Sequence, residues 1–334
     1  MIPEAWKLRE PLSPALRRGL LAAIPVGGAF LVDLEADFSA AGAISTGAML
    51  AGFVGFDAGG RTRFVWQILA APVIGAAAAL GALTFDPAWL AVLTMAVVAS
   101  AAALSIAVSL RLYIAALNCV LALLLAQGLA GSRDVAVDAM LLGAAGAALQ
   151  ALFSLTAAPL DRSGFPTPRL DDLRRVEQAI REDARGRRLA VRHAFRWGLA
   201  LAVAVAAGHI VDLGPHGYWI PLTVVFVLRP VPSETAERLA MRAAGTVVGL
   251  VIGTPLAIAL GGSGAAEAVA ITVAAAFVFA LLAIEYALFT IAVTCLVVIL
   301  SHALGESAWS AADERAIATG LGIAIAAAAV RVVR

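Results

Sequence analysis

GYWIPLTVVFVLRPVPSETAERLAMRAAGTVVGLVIG, residues 217–253, is the stretch around which the rest of the chain is organised. At about 1.5 Å per helical residue, its first apolar run, residues 218–228, is too short to cross a hydrocarbon core of about 30 Å. Pro221, Pro230 and Pro232 disfavour one continuous helix. The stretch therefore predicts a broken helix, which a membrane tolerates only where protein or a water-filled cavity covers it.

The second part of the stretch predicts a new helix with Ser233 as its N-cap. Arg238 and Arg242 lie four residues apart on it, hence on one face. Glu234, one turn before Arg238, favours a local ion pair. Arg242 has no acidic residue three or four positions away, and an unpaired guanidinium is costly inside a membrane. We expect Arg242 to need a partner on another helix or in an anionic ligand, unless it is a structural arginine that snorkels to the surface.

Glycines follow Arg242 at four-residue spacing, at positions 245, 249 and 253. A ladder of small residues lets another transmembrane helix approach closely. The sequence therefore predicts tight helix–helix packing beside this arginine.

Composition places the chain among polytopic membrane proteins. Of its 334 residues 62% are hydrophobic and 14% charged, whereas soluble domains are about half apolar and a quarter charged. The net charge of +1, without interleaved basic and aromatic residues, gives no sign of nucleic-acid binding. Cys119 and Cys295 lie in apolar runs, where a thiol packs as a small hydrophobe. The sequence shows no metal-ligand spacing, cofactor motif or catalytic motif, so we expect no metal, no cofactor and no enzyme.

The apolar runs predict an all-α integral membrane protein. About twelve transmembrane helices are expected in two parallel six-helix repeats, with a short cytoplasmic linker helix between them. The predicted boundaries are a cytoplasmic leader (1–16), an N-terminal transmembrane repeat (17–158), an Arg-rich cytoplasmic linker (159–193) and a C-terminal transmembrane repeat (194–334).

Arginine placement predicts the orientation. Apart from Arg133, the loop arginines fall on alternate loops, which by the positive-inside rule puts both termini and the linker in the cytoplasm. The arginines concerned are Arg17, Arg18, Arg61, Arg63, Arg111, Arg229, Arg238 and Arg331.

Residues of the central stretch resemble a known family. Tyr218-Trp219, Thr223, the turn at 231–235 and above all Arg242-x-x-Gly245-Thr246-x-x-Gly249 match the signature of the FUSC family, the fusaric-acid-resistance-like, aromatic acid exporter type of bacterial inner-membrane proteins. The resemblance extends to Tyr286, Thr290 and Arg315-x-x-x-Thr319-Gly320. It implies a multi-pass protein of the bacterial inner membrane that exports small organic acids, including aromatic carboxylates, driven by the proton gradient. Its partners would be the lipid bilayer and the organic anion, and its Gly-rich faces would suit a homo-oligomer or internal packing.

The candidate site follows from the residues and the resemblance together. The expected substrate-binding residues are Trp219, Thr223, Arg238, Arg242, Gly245, Thr246 and Gly249, and the proton-coupling or ion-pair candidates are Glu285, Arg111 and His209. In the repeat, Glu285 corresponds to a position beside Arg111, and a histidine titrates in a suitable range. Each has an ordinary alternative: aromatic residues form interfacial belts, membrane threonines bond their own preceding turn, and ionisable groups at span ends are solvated.

Two other functions stay open at this stage. Plant malate channels bear a distant likeness in the Arg-Gly-Thr region, so the chain could be a channel-like anion conductor. It could also be a non-transporting envelope or assembly protein, which would be favoured if packed Ala and Leu side chains plug the predicted path and Arg242 is satisfied within the protein.

Overall fold

The computed structural model describes residues 12–36, 40–56, 58–107, 110–129, 133–156, 184–211, 213, 216–261, 264–282 and 284–332. The longer elements in these residues are all helices. In chain order they are α1 (Leu12–Ala36), α2 (Ala41–Phe53), α3 (Gly60–Thr84), α4 (Ala88–Leu104), α5 (Leu110–Leu129), α6 (Ala136–Ser154), α7 (Ala184–Ile210), α8 (Trp219–Val227), α9 (Pro232–Leu260), α10 (Gly264–Leu282), α11 (Tyr286–Ala303) and α12 (Ala308–Val332).

Ten of these helices are long and apolar enough to cross a membrane. The exceptions within the described residues are α2, with 13 residues, and α8, with 9. The all-α membrane fold is therefore confirmed for this part of the chain. The arrangement in two parallel six-helix repeats, with twelve spans, remains a prediction.

The predicted linker and leader fall mostly outside the described residues. Residues 1–11 and 157–183 belong to that part, and with them most of the predicted linker helix. Gly186, where that linker helix was expected to end, lies inside α7. The helix that opens the C-terminal half thus begins at Ala184, ten residues before the predicted boundary.

A correspondence between the two halves favours the predicted repeat. A Cβ atom added to Gly322 would meet the carbonyl oxygen of Ile220, and one added to Gly146 would meet that of Ile44. Gly322 lies 176 positions after Gly146, and Ile220 lies 176 positions after Ile44. The same interval separates Cys119 from Cys295, as expected for two copies of one helix order.

The C-terminal half contains a second, inverted relationship. Helix α9 packs against α11, and α8 packs against α12. Gly245 contacts Thr290 and Gly249 contacts Thr294, so residue numbers rise together along α9 and α11, and these two helices are parallel. The contacts of Arg315 with Trp219 and of Gly322 with Thr223 show the same for α12 and α8. Helix α9 folds back after α8, since the Arg242 guanidinium lies over the Phe226 ring near the end of α8. The two pairs therefore run in opposite directions.

Candidate functional site

The chain turns back between α8 and α9, so the first part of α9 runs alongside α8. The α8 helix ends at Val227. The Thr235 hydroxyl then accepts a hydrogen bond of 2.9 Å from the backbone N–H of Arg229, which ties the turn to the new helix. Helix α9 begins at Pro232 with Val231 as its N-cap, so the prediction of Ser233 as the N-cap is wrong. A proline is well suited to the first helical position because it has no N–H to leave unpaired.

The other predicted helix breakers have different roles. Pro221 lies in the first turn of α8, where its missing N–H costs no helical hydrogen bond. Pro230 lies in the turn between α8 and α9. The break is therefore made by the turn rather than by Pro221.

The glycine ladder of α9 lies directly on α11. A Cβ atom at Gly245 would come within 2.7 Å of the Thr290 Cβ, and one at Gly249 within 2.6 Å of the Thr294 Cβ. At Gly253 the neighbour is the Cα of Cys295, at 2.9 Å. The predicted close approach of a second helix is confirmed.

Arg242 is buried in the middle of this packing. Its side chain is 0% exposed. None of its three guanidinium nitrogens has a hydrogen-bond partner in the described residues, and its central carbon lies 5.6 Å from the centre of the Phe226 ring. A snorkelling role is excluded in this conformation because the side chain does not reach water.

Arg315 on α12 is a second arginine of the same kind, which our predicted set omitted. It is also 0% exposed, and its three guanidinium nitrogens likewise have no partner among the described residues. Its central carbon lies 5.1 Å from the centre of the Trp219 ring. Arg242 lies within electrostatic range of it. Two buried like charges repel each other, and an anion placed between them would relieve both the repulsion and the unpaired donors.

Hydroxyl groups on the same helices add donors and acceptors. Thr246 and Thr319 lie one turn after Arg242 and Arg315, and their buried hydroxyl oxygens have no partner in the described residues. Thr223, by contrast, bonds the carbonyl of Trp219 in its own preceding turn at 3.1 Å. Its predicted substrate role therefore has no free hydroxyl to support it in this conformation.

Arg238 forms a counterpart of Arg315 at the other end of the site. Its central carbon lies 4.2 Å from the centre of the Tyr286 ring. Arg238 precedes Gly245 by seven residues, as Arg315 precedes Gly322. Gly245 packs on Thr290, four residues after Tyr286, and Gly322 packs on Thr223, four residues after Trp219.

This internal symmetry has a sequence signal that could have identified Arg315. The pattern Glu-Arg followed by Gly seven positions after the arginine occurs at 237–245 and again at 314–322. An aromatic residue followed four positions later by threonine occurs at Trp219 and at Tyr286. The two patterns become meaningful only when the α8–α12 and α9–α11 pairs are superimposed.

The end of the site near Trp219 contains further polar groups. Trp219 is 2% exposed and is therefore not an interfacial belt residue. The His216 ring stacks on it with a centroid distance of 4.0 Å. A cavity of about 140 Å³ lies beside Tyr218 and Pro221. Burial raises the pKa of the Tyr218 hydroxyl to about 12, so this group stays neutral.

Two of the three predicted proton-coupling residues, His209 and Glu285, are exposed rather than buried beside the two arginines. His209 is exposed at the end of α7 and lines the cavity beside Tyr218. Glu285 is exposed at the N-cap of α11. The Arg111 side chain lies outside the described residues, so its pairing with Glu285 remains a prediction. No group of three His, Cys, Asp or Glu side chains in the described part is arranged to hold a metal ion.

The positions of the N-terminal half that lie 176 residues before Arg242 and Arg315 are Trp66 and Ala139, and neither is charged. Ala43 and Ala139 lie 176 positions before Trp219 and Arg315. Both line a cavity of about 420 Å³ whose surface is mostly apolar. The buried cationic site therefore belongs to the C-terminal half.

Comparison with known proteins agrees with this placement. Residues 199–329 match the model of the fusaric acid resistance protein-like family, which confirms the resemblance recognised in the central stretch. The chain is also 38% identical over 139 residues to the inner membrane protein YccS of Escherichia coli K12, a match that covers 42% of this chain and 19% of that protein.

Two shorter matches are to uncharacterized proteins. One, from Synechocystis sp., is 37% identical over 62 residues, or 19% of this chain and 8% of the relative. The other, from Neisseria gonorrhoeae, is 39% identical over 77 residues, or 23% and 18%. In all three, the match spans less than a fifth of the relative's length. No solved structure matches the chain. The matches and the ten apolar helices support a multi-pass protein of the bacterial inner membrane.

Proposed function

We propose that this protein exports small organic acids, aromatic carboxylates among them, through a site between Arg315 and Arg242. The observation that carries the proposal is the burial of two guanidinium groups that have no hydrogen-bond partner among the described residues and lie within electrostatic range of each other. A charged residue at the centre of a membrane helix costs about 2.5–3.5 kcal/mol even by the lowest scales. Two such groups without partners in the part of the chain that the structure describes are best explained by a ligand that supplies the missing charge.

The chemistry of the site favours a carboxylate attached to a flat apolar group. Guanidinium N–H groups form a fork that matches the two oxygens of a carboxylate. The Trp219 and Phe226 rings lie beside Arg315 and Arg242, where they can face the apolar part of the ligand. An organic acid as the ligand agrees with the description of the matching family, fusaric acid resistance protein-like.

The arginines also define a path. Arg315, Arg242 and Arg238 follow one another from the Trp219 end to the Tyr286 end of the C-terminal half. In the predicted orientation the Tyr286 end faces the cytoplasm. An anion would enter there, pass Arg238 and Arg242, and leave beside Arg315.

The driving force in this proposal is the proton gradient. Its electrical component, negative inside, by itself favours the exit of an anion by about 2.3 kcal/mol per charge and 100 mV. The chain itself need not bind ATP for such transport.

A channel-like anion conductor is the second candidate. The line of Arg238, Arg242 and Arg315 also favours this function, because arginines that line a pore support rapid conduction of anions. An assembly role is less favoured, because within the described residues the Arg242 guanidinium has no hydrogen-bond partner.

Uptake into everted inner-membrane vesicles tests the proposal. In these vesicles export appears as accumulation, so labelled benzoate and 4-hydroxybenzoate should accumulate with the wild type and not with Arg242→Ala or Arg315→Ala. Arg331→Ala, which removes an exposed arginine from the same helix as Arg315, is the matched control. A protonophore should abolish accumulation. Voltage-dependent current that ignores a pH gradient would favour the channel, and accumulation unaffected by both arginine variants would refute the site.

A further inference from the structure

His216, between α7 and α8, is held between two carboxylates. Its Nδ1 lies 2.5 Å from Oε2 of Glu314 on α12, within hydrogen-bond distance. Its Nε2 lies 3.2 Å from Oε2 of Glu306, within ion-pair distance although outside hydrogen-bond geometry. The imidazole is 5% exposed, whereas the two carboxylates reach water in part.

This arrangement requires exchangeable protons. A proton must lie between Nδ1 and the Glu314 oxygen for their short contact to be attractive. The contact with Glu306 is attractive only if Nε2 or that carboxyl group also carries a proton. With the imidazole doubly protonated and both glutamates ionised, the cluster has one net negative charge, and one more proton on either glutamate makes it neutral.

The cluster is connected to the buried arginine through one shared aromatic ring. The His216 ring stacks on Trp219 at 4.0 Å, and the Arg315 central carbon lies 5.1 Å from the centre of the same ring. Glu314 also precedes Arg315 on α12. A change of charge or position at the cluster therefore acts on Arg315 through Trp219 and through the shared turn of α12.

We propose that His216, Glu306 and Glu314 form a proton-binding site that sets how tightly Arg315 holds an anion. The inference rests on the proposed anion site and adds its regulation by protons. The negatively charged cluster competes with the anion for the field of Arg315, and proton uptake removes that competition. One proton passes from water to a glutamate oxygen when the anion binds and returns to water when it leaves, and no other bond forms or breaks. By linkage, anion affinity rises as the pH falls.

Other groups around His216 do not replace this site. Tyr218, whose ring centre lies 6.2 Å away, stays neutral because burial raises its pKa to about 12. The Ser310 hydroxyl donates to Oε1 of Glu314 at 3.0 Å and fixes its orientation. Asp313 is the neighbouring acid on α12 and is exposed. His209 lines the 140 Å³ cavity beside Tyr218.

Calorimetric titration of the purified protein with benzoate tests the inference. We expect wild-type binding to be roughly five- to tenfold tighter at about pH 6 than at about pH 8, with net proton uptake revealed by buffers of different ionisation enthalpy. Glu314→Gln should bind as tightly at the higher pH as the wild type does at the lower, without proton uptake. Glu306→Gln, at a more exposed position, should act in the same direction if the first variant does not fold.

The control and the contradicting results are separable. Asp313→Asn removes a neighbouring exposed charge and should keep the wild-type pH dependence. Wild-type binding that does not vary with pH, or an unchanged dependence in the glutamine variants, would overturn the proton site and leave the anion site standing. No binding of benzoate by the wild type would overturn the anion site, and the proton site with it.

Discussion

The guanidinium of Arg315 lies over the indole of Trp219, with its central carbon 5.1 Å from the ring centre. An aromatic face stabilises a cation by about 0.5–2 kcal/mol, but it accepts none of the five N–H groups in the way an oxygen does. The contact therefore positions the Arg315 side chain but leaves its N–H groups without an acceptor, and a carboxylate would supply one.

Replacing either buried arginine should make the ligand-free protein more stable. Replacing a buried ion pair by well-packed apolar side chains of similar volume is often neutral or stabilising, by about 1–4 kcal/mol, and a lone buried charge lacks even the attraction of a partner. We expect Arg242→Met and Arg315→Met to unfold at higher temperature than the wild type in the same detergent. Benzoate should stabilise the wild type and neither variant, because only a protein that binds it gains from mass action.

Arg331→Met provides the comparison for this experiment, since Arg331 is exposed. It should change neither the unfolding temperature nor the response to benzoate. A marked loss of stability in the buried variants would mean that the protein itself satisfies these arginines.

The helix pairs should be sensitive to one methyl group at defined positions. A Cβ at Gly322 would lie 2.6 Å from the Thr223 Cβ and 2.7 Å from the Ile220 carbonyl oxygen. Gly322→Ala should therefore force α8 and α12 apart, at a cost of about 1–3 kcal/mol, and reduce transport. Gly320→Ala, two residues earlier on α12, would meet nothing within 4 Å and should be tolerated. Equal thermal unfolding of the two variants would contradict the close packing.

Trp219 should determine the preference for aromatic acids. We expect Trp219→Leu to lower the affinity ratio of benzoate to cyclohexanecarboxylate about two- to tenfold, because an aromatic pair contributes about 0.5–1.5 kcal/mol beyond burial. Competition against labelled benzoate measures the ratio. Trp309→Leu, at a 64% exposed position on α12, is the control. An unchanged ratio in the Trp219 variant would mean that the ligand's ring lies elsewhere.

The cavity of the N-terminal half should be dispensable for transport. Ala139→Leu would fill part of the apolar cavity of about 420 Å³. We expect transport to be kept and stability to rise, by up to about 1 kcal/mol. Loss of anion accumulation, with the protein still folded, would show that the substrate path includes this half.

Local sequence features predicted much of the fold. The apolar runs predicted a helix at each position where the described residues show one, because twenty apolar residues and a polar turn are sufficient signals. The short apolar run at 218–228 predicted the short α8, and the glycines at four-residue spacing predicted the close packing of α9 on another helix. The N-cap of α9 was wrong because Pro232 occupies the first helical position and Thr235 supplies the hydroxyl contact.

The site was only half predictable because it depends on contacts between distant segments. Arg242 stood out through its missing acidic neighbours, which is a local property. Arg315 has the acidic Glu314 beside it in sequence, but the Glu314 carboxylate contacts His216, 98 positions away in the chain. Because Glu314 pairs with His216, the Arg315 guanidinium lies over Trp219 instead of beside a carboxylate. The spacing of residues along α12 does not reveal this long-range pairing.

A structure determined with bound 4-bromobenzoate would show where the anion lies. We expect a bromine signal beside Trp219 or Phe226, with the carboxylate between the guanidinium groups of Arg315 and Arg242. The signal should disappear in Arg242→Met and persist in Arg331→Met. A ligand bound at any other position, with neither arginine in contact with it, would refute the proposed anion site.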